Sequence, residues 1–85
     1  MPYSILIRPA ANRDLKGLPP EILARVEKAV ARLQVDARPS GAKKLVGFEN
    51  EWRLRVGDYR ILYVVDDGSR QFVIARIAHR REAYR

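Results

Sequence analysis

Residues 52–63 of this chain read WRLRVGDYRILY, and this stretch decides the fold. Apolar side chains alternate with polar ones on both sides of Gly57 and Asp58, which is the pattern of two strands joined by a two-residue turn. Such a turn fixes the register of the hairpin, so it predicts that Arg55 lies directly across from Arg60. The sequence therefore predicts a β-hairpin with two unlike faces.

One face of this hairpin is apolar and should receive the core. It carries six side chains: Trp52, Leu54, Val56, Tyr59, Ile61 and Tyr63. The other face sets Arg55 against Arg60 with Arg53 beside them, and like charges directly opposite each other destabilise a sheet. A bound phosphate backbone would offset this cost, because guanidinium groups bind phosphate bidentately. Neutralisation by neighbouring carboxylates such as Glu51 or Asp58 would explain the same pattern.

The remaining periodic segments complete an α+β fold. The patterns predict a first strand at Tyr3–Ile7, a short helix from Pro9, a longer helix from Glu21 to about Gln34 and a last strand at Gln71–His79. The order β-α-α-β-β-β predicts a helical pair packed on one face of a mostly antiparallel four-stranded sheet.

The composition describes a small soluble domain. The 85 residues are 47% hydrophobic and 32% charged, so we expect a single domain over residues 1–85 with its own core. Cysteine is absent, and neither a histidine cluster nor a Gly-rich phosphate loop occurs, so we expect no metal and no cofactor. We find no signal-peptide core and no apolar run long enough to span a membrane, so we expect a cytoplasmic protein.

The charge balance points to a polyanionic partner. The net charge is +7, and 13 of the 17 basic residues are arginine. Arginine matches phosphate geometry better than lysine does, so the excess favours nucleic acid, although arginine-rich codon usage would produce the same ratio. On the longer helix, Arg25, Lys28 and Arg32 share the polar face, which is more often solvated than bound, although a partner could use it.

The end of the chain gathers reactive side chains. Residues 76–85 contain the only histidine, His79, together with Tyr84 and several arginines, among them Arg80. Histidine titrates near neutral pH, and a tyrosine can exchange a proton where a nearby cation lowers its pKa. RNA cleavage by attack of the 2′-hydroxyl on the neighbouring phosphate suits this set without metal, because RNA supplies the nucleophile.

The element order, the hairpin at residues 52–63 and the ending at residues 79–85 resemble the RelE/ParE superfamily of bacterial and archaeal type II toxins. The resemblance covers nearly the whole chain. It implies a RelE-type toxin, an mRNA interferase that cuts message on the ribosome and is held inactive by an antitoxin. The alternative is a ParE-like toxin, which shares the fold but inhibits DNA gyrase by binding and has no nuclease activity.

The resemblance also implies roles for individual residues. Five positions match the RelE pattern of hairpin and tail: Arg53, Arg55, Arg60, Arg80 and Tyr84. The best-studied pattern has lysines where this chain has Arg53 and Arg55, and arginine cannot act as a general base. We therefore assign proton acceptance from the 2′-hydroxyl to Tyr84 or His79, and leave the donor to the leaving 5′-oxygen unassigned.

The other implied roles concern charge. Arg80 and Arg60 would stabilise the charge on the phosphate, while Arg53 and Arg55 would position the RNA backbone. Three further cations would attract RNA without sequence preference: Lys43, Lys44 and Arg81. The expected partners are mRNA, the ribosome and an antitoxin whose acidic amphipathic segment folds on binding, in a toxin–antitoxin hetero-oligomer.

Overall fold

A computed structural model describes residues 3–36, 42–44, 51–79 and 81 of the chain. In chain order, its elements are β1 (Ser4–Ile7), α1 (Pro9–Lys16), α2 (Pro20–Val35), β2 (Ala42–Lys44), β3 (Glu51–Val56), β4 (Tyr59–Asp66) and β5 (Gln71–His79). The strands form one sheet in the order β1-β5-β4-β3-β2. The β1–β5 pair is parallel, and the other three pairs are antiparallel.

The α1 helix begins at the predicted Pro9, and α2 begins at Pro20, one residue before the predicted Glu21. Pro9 and Pro20 occupy the first turns of α1 and α2, where the missing N–H of proline has no partner to lose. The α1 helix ends at Gly17, whose N–H donates to the Asp14 carbonyl at 3.1 Å. Within the described part of the chain, neither helix is long and apolar enough to cross a membrane.

The helices pack on one face of the sheet and bury the core between the two layers. The α2 helix contributes Val26, Ala29 and Leu33, which recur at helical spacing and are buried. The strands contribute the buried side chains Leu54, Val56, Ile61, Tyr63, Val65, Phe72, Ile74 and Ile77. The α+β class and the one-sided helical layer predicted from the sequence are therefore confirmed.

The sheet has five strands where the sequence predicts four. The additional strand, β2, pairs with β3 so that Ala42 faces Leu54 and Lys43 faces Arg53. It is three residues long and contains two lysines, so it has neither the length nor the alternation that identifies a strand. Its extended conformation depends on the hydrogen bonds offered by the edge of β3, which a local pattern cannot reveal.

Candidate functional site

The hairpin of β3 and β4 has the register predicted from its two-residue turn. Arg55 pairs with Arg60, and Arg53 pairs with Leu62. Gly57 occupies the first turn position with φ of 59°, a left-handed conformation that glycine adopts without steric cost. The turn therefore places the hairpin arginines on the face of the sheet opposite the helices.

Four cations lie together on this helix-free face at the turn end of the hairpin. We call them the basic face: Lys43, Arg53, Arg55 and Arg60. Lys43 joins the set because β2 brings it into register with Arg53. Arg53 and Arg60 are half-buried, whereas Lys43 and Arg55 are exposed. Three strands thus supply one cluster of positive charge.

Backbone carbonyl groups orient two of these guanidinium groups. Arg55 Nε donates to the Gly57 carbonyl oxygen at 3.0 Å, and Arg60 Nη1 donates to the Tyr59 carbonyl oxygen at 3.3 Å. Within the described residues, no carboxylate pairs with Arg55. Because a guanidinium group carries five N–H donors, a backbone bond from Arg55 Nε leaves donors at both terminal nitrogens for a bound anion.

His79 lies on the other face of the sheet. It pairs with Tyr59 across β4 and β5, and Tyr59 in turn pairs with Val56 of the core face. The His79 and Tyr59 rings meet edge to face, with centroids 5.3 Å apart. Directly paired residues share a face, so His79 belongs to the helix side, at the end of β5, and not beside the hairpin arginines.

Of the other predicted site residues, Arg80 and Tyr84 lie outside the described residues. Arg81 is exposed, and its backbone N–H donates to His79 Nδ1 at 3.3 Å. Lys44 is exposed and pairs with Trp52, so alternation along β2 directs it away from the basic face. Lys43 and Lys44 therefore belong to opposite faces although they are neighbours in sequence.

One polar contact that sequence reasoning missed supports the sheet near this site. Asp14 of α1 accepts hydrogen bonds from Arg76 Nε at 2.8 Å and from the Ile77 backbone N–H at 2.9 Å. Burial alone would raise the pKa of Asp14, but these two hydrogen bonds and the charges of Arg76 and Arg13 lower it below the ordinary 3.8. The contact joins residues 62 and 63 positions apart, so local sequence gives no signal for it.

The chemistry available at the basic face is anion binding. Four fixed cations on three strands can bind consecutive phosphates of an extended strand, and arginine binds them with paired donors. The described residues contain no group of three or more histidine, cysteine, aspartate or glutamate side chains that could hold a metal ion.

Comparisons with known proteins agree on the family. Residues 5–84 match the family described as "ParE toxin of type II toxin-antitoxin system, parDE". The chain is 38% identical over 86 residues to toxin RelG of Mycobacterium tuberculosis, with 100% of this chain and 99% of that protein covered.

Two solved structures extend the likeness to the whole fold. The M. tuberculosis toxin–antitoxin complex RelBE2 matches with TM-score 0.79 and 37% identity, covering 93% of this chain and 99% of that chain. The RelE–RelB complex of Pyrococcus horikoshii OT3 matches with TM-score 0.85 and 25% identity, covering 96% and 99%. The fold, the sequence match and the basic hairpin together establish that this chain belongs to the RelE/ParE superfamily of type II toxins.

Proposed function

We propose that this toxin is a ribosome-dependent mRNA endonuclease of the RelE type, whose message-binding surface is the basic face. The observation that carries the proposal is the in-register Arg55–Arg60 pair with Arg53 and Lys43 beside it. Each arginine can hold a phosphate with paired donors, so these four cations suit an extended phosphate backbone. The relatives named RelG and RelE support the RelE branch.

The reaction needs no external nucleophile. The 2′-hydroxyl of the message loses its proton to a base, and its oxygen attacks the adjacent phosphorus while the bond from phosphorus to the 5′-oxygen breaks. The 5′-oxygen takes up a proton as it leaves, so the products are a 2′,3′-cyclic phosphate and a 5′-hydroxyl. Arg53 and Arg55 hold the backbone in line for this attack. Arg60, together with Arg80, stabilises the negative charge that grows on the phosphate oxygens.

Tyr84 is our preferred acceptor of the 2′-hydroxyl proton. His79, the other candidate, pairs with Tyr59 on the helix side of the sheet, away from the basic face. Arginine is excluded as a base because it stays protonated. Lys43 supports message binding, whereas Lys44 and Arg81 add general attraction to RNA.

The partner that silences the toxin should be a RelB-type antitoxin. Two similar solved relatives are toxin–antitoxin complexes, which supports the same partnership here. A basic face that must be blocked calls for an acidic amphipathic segment that folds on binding. We expect the complex to weaken as salt rises; a complex indifferent to salt that leaves the basic face exposed would contradict this.

The test uses ribosomes stalled on a message of known sequence. We expect the parent toxin to cut the message and to leave 5′ ends that a polynucleotide kinase phosphorylates without prior phosphatase treatment. Arg60→Ala should slow cutting by about 10²–10³-fold, as loss of one transition-state donor does. Tyr84→Phe should slow it by about 10²–10⁴-fold, as loss of a general base does.

The matched control is Arg70→Ala, which removes the same charge from an exposed turn between β4 and β5. It should cut at the parent rate. Equal cutting by Arg60→Ala and Arg70→Ala would refute the assignment of the basic face, and fragments ending in 5′-phosphates would refute the mechanism.

A second candidate function follows from the family description, which names the ParE toxin. On this reading the basic face binds a protein target, DNA gyrase, without chemistry. The same assay separates the two: a parent toxin that arrests growth, inhibits gyrase supercoiling and leaves message intact on ribosomes belongs to the ParE branch.

A further inference from the structure

A second basic surface lies between α2 and the hairpin. It is a cleft of about 360 Å³ whose lining residues include four cations and no carboxylate among the described residues. The cations are Arg25, Lys28, Arg32 and Arg55. Arg55 is the one member that also belongs to the basic face, so the two surfaces meet at β3.

The three helix cations form a row along α2. Arg25, Lys28 and Arg32 are exposed and lie at positions i, i+3 and i+7, so they share one side of the helix. At ~1.5 Å rise per residue the row is roughly 10 Å long. Glu21 and Asp36 lie one helical turn before and after this row, whereas the described residues that line the cleft include no acid.

Gly57 brings guanidinium groups from two elements to the mouth of the cleft. A Cβ added at Gly57 would lie 3.1 Å from Arg25 Nη1, so the Arg25 side chain packs directly against this glycine. Arg55 Nε donates to the Gly57 carbonyl oxygen at 3.0 Å. Guanidinium groups from two elements therefore both contact Gly57, and each one carries the paired N–H donors that phosphate binding uses.

We propose that this helix–hairpin cleft is a second phosphate-binding site, which holds the backbone of ribosomal RNA while the message occupies the basic face. Successive phosphates of one strand lie farther apart than the ~3.4 Å axial rise per nucleotide, so a row of roughly 10 Å faces about two of them. This inference rests on the proposed function, because the ribosome supplies the second RNA.

The apolar lining of the cleft favours RNA over an antitoxin segment. An amphipathic peptide needs exposed apolar surface for its own apolar side chains. The apolar lining residues Ala29, Leu54 and Val56 are only 8%, 4% and 7% exposed, so the core already covers them. The polar groups that the lining side chains offer to a ligand are all cationic, which is the character of a backbone-binding surface.

The experiment compares two triple variants that lose the same residue types and the same three charges. The cleft variant carries Arg25→Gln, Lys28→Gln and Arg32→Gln. The control variant carries Arg8→Gln, Lys16→Gln and Arg70→Gln, at exposed positions outside the cleft. Binding of each full-length protein to ribosomes stalled on a message is measured over a series of salt concentrations, and message cutting is measured at saturating ribosome.

We expect the cleft variant to bind ribosomes at least ~10-fold more weakly than the control variant. Its slope of log affinity against log salt should fall by about 2, since each lost phosphate contact contributes ~0.7–0.9 to that slope. Its cutting rate at saturating ribosome should match the parent. A charge-retaining variant with Arg25→Lys and Arg32→Lys should recover most of the affinity, which separates charge from folding.

Three outcomes would overturn the inference. Equal ribosome affinity of the cleft and control variants refutes the second phosphate-binding site. If the parent still cuts message, the proposed nuclease activity stands. Unchanged ribosome affinity with lost neutralisation by the antitoxin assigns the cleft to the antitoxin instead. A parent that binds no ribosome refutes both proposals.

A parent that binds ribosomes through the cleft without cutting message refutes the nuclease alone.

Discussion

Replacing Asp14 should expose how α1 holds the outer part of β5. The β1 strand pairs with β5 from Gln71 to Ile74, so the edge of β5 beyond that point has no strand beside it among the described residues. Asp14 Oδ2 accepts the Ile77 N–H there at 2.9 Å and Arg76 Nε at 2.8 Å. The side chain of Asp14 is 18% exposed, so water replaces these bonds poorly.

The expected loss of stability has two components, an ion pair and a backbone hydrogen bond. The ion pair with Arg76 is worth about 0.2–1 kcal/mol, because the Arg76 side chain is 52% exposed. An unsatisfied Ile77 N–H costs about 1–3 kcal/mol. Asp14→Ala should therefore lower the free energy of unfolding by roughly 1–4 kcal/mol, and Arg76→Ala by no more than about 1 kcal/mol. Each kcal/mol of lost stability lowers the thermal midpoint of a domain of this size by about 4–8 °C, so the effect of Asp14→Ala is easily measured.

The dependence on pH has a definite sign. The pKa of Asp14 lies below its ordinary 3.8 in the folded protein, since the hydrogen bonds and the neighbouring charges outweigh its burial. Its contribution to stability is therefore complete well above pH 3.8 and is lost as the pH falls through the folded pKa. The difference between the parent and Asp14→Ala should shrink at acid pH.

Urea unfolding followed by circular dichroism at pH 7 and at a series of acid pH values measures both effects. Asp14→Asn should fall between Asp14→Ala and Arg76→Ala, because one amide oxygen can still accept the Ile77 N–H. An Asp14→Ala cost no larger than that of Arg76→Ala would contradict this role of Asp14, and so would a cost that stays constant from pH 7 to below the folded pKa.

Two further substitutions test the core and the turn. Leu33→Ala removes a fully buried side chain of α2 and should cost about 2–5 kcal/mol of stability. Val35→Ala, at a position 83% exposed, should change stability by less than about 0.5 kcal/mol. Urea unfolding that ranks the two variants in the other order would contradict the packing. Gly57→Ala should cost about 1–2 kcal/mol, because φ is 59° and the new methyl would displace Arg25. Gly17→Ala, at a negative φ with ordinary contacts, is its control and should leave the thermal midpoint almost unchanged.

The hairpin shows how much of this site can be predicted from neighbouring residues in the sequence. A two-residue turn leaves one register, so the pairing of Arg55 with Arg60 follows from residues 52–63 alone. Alternation also predicted on which face of the sheet these arginines lie, because the apolar side chains of the hairpin had to face the helices. Apolar spacing likewise predicted both helices, and Pro9 predicted the start of the first.

Features that depend on distant residues could not be predicted this way. The β2 strand forms because β3 offers it an edge, and this pairing brings Lys43 beside Arg53. His79 is close in sequence to the reactive tail, yet its register with Tyr59 sets it on the helix side. In each case the decisive neighbour belongs to another strand.

The sequence by itself determined the α+β class, the hairpin register and the concentration of arginine, because turn chemistry and side-chain periodicity act over a few residues. The tertiary structure alone decided which residues of the helices meet which residues of the sheet. Arg25 of α2 reaches Gly57 of the hairpin, and Asp14 of α1 reaches Ile77 of β5. These contacts exist because a common core fixes the helices against the sheet, and no periodicity within either element encodes the distance between them.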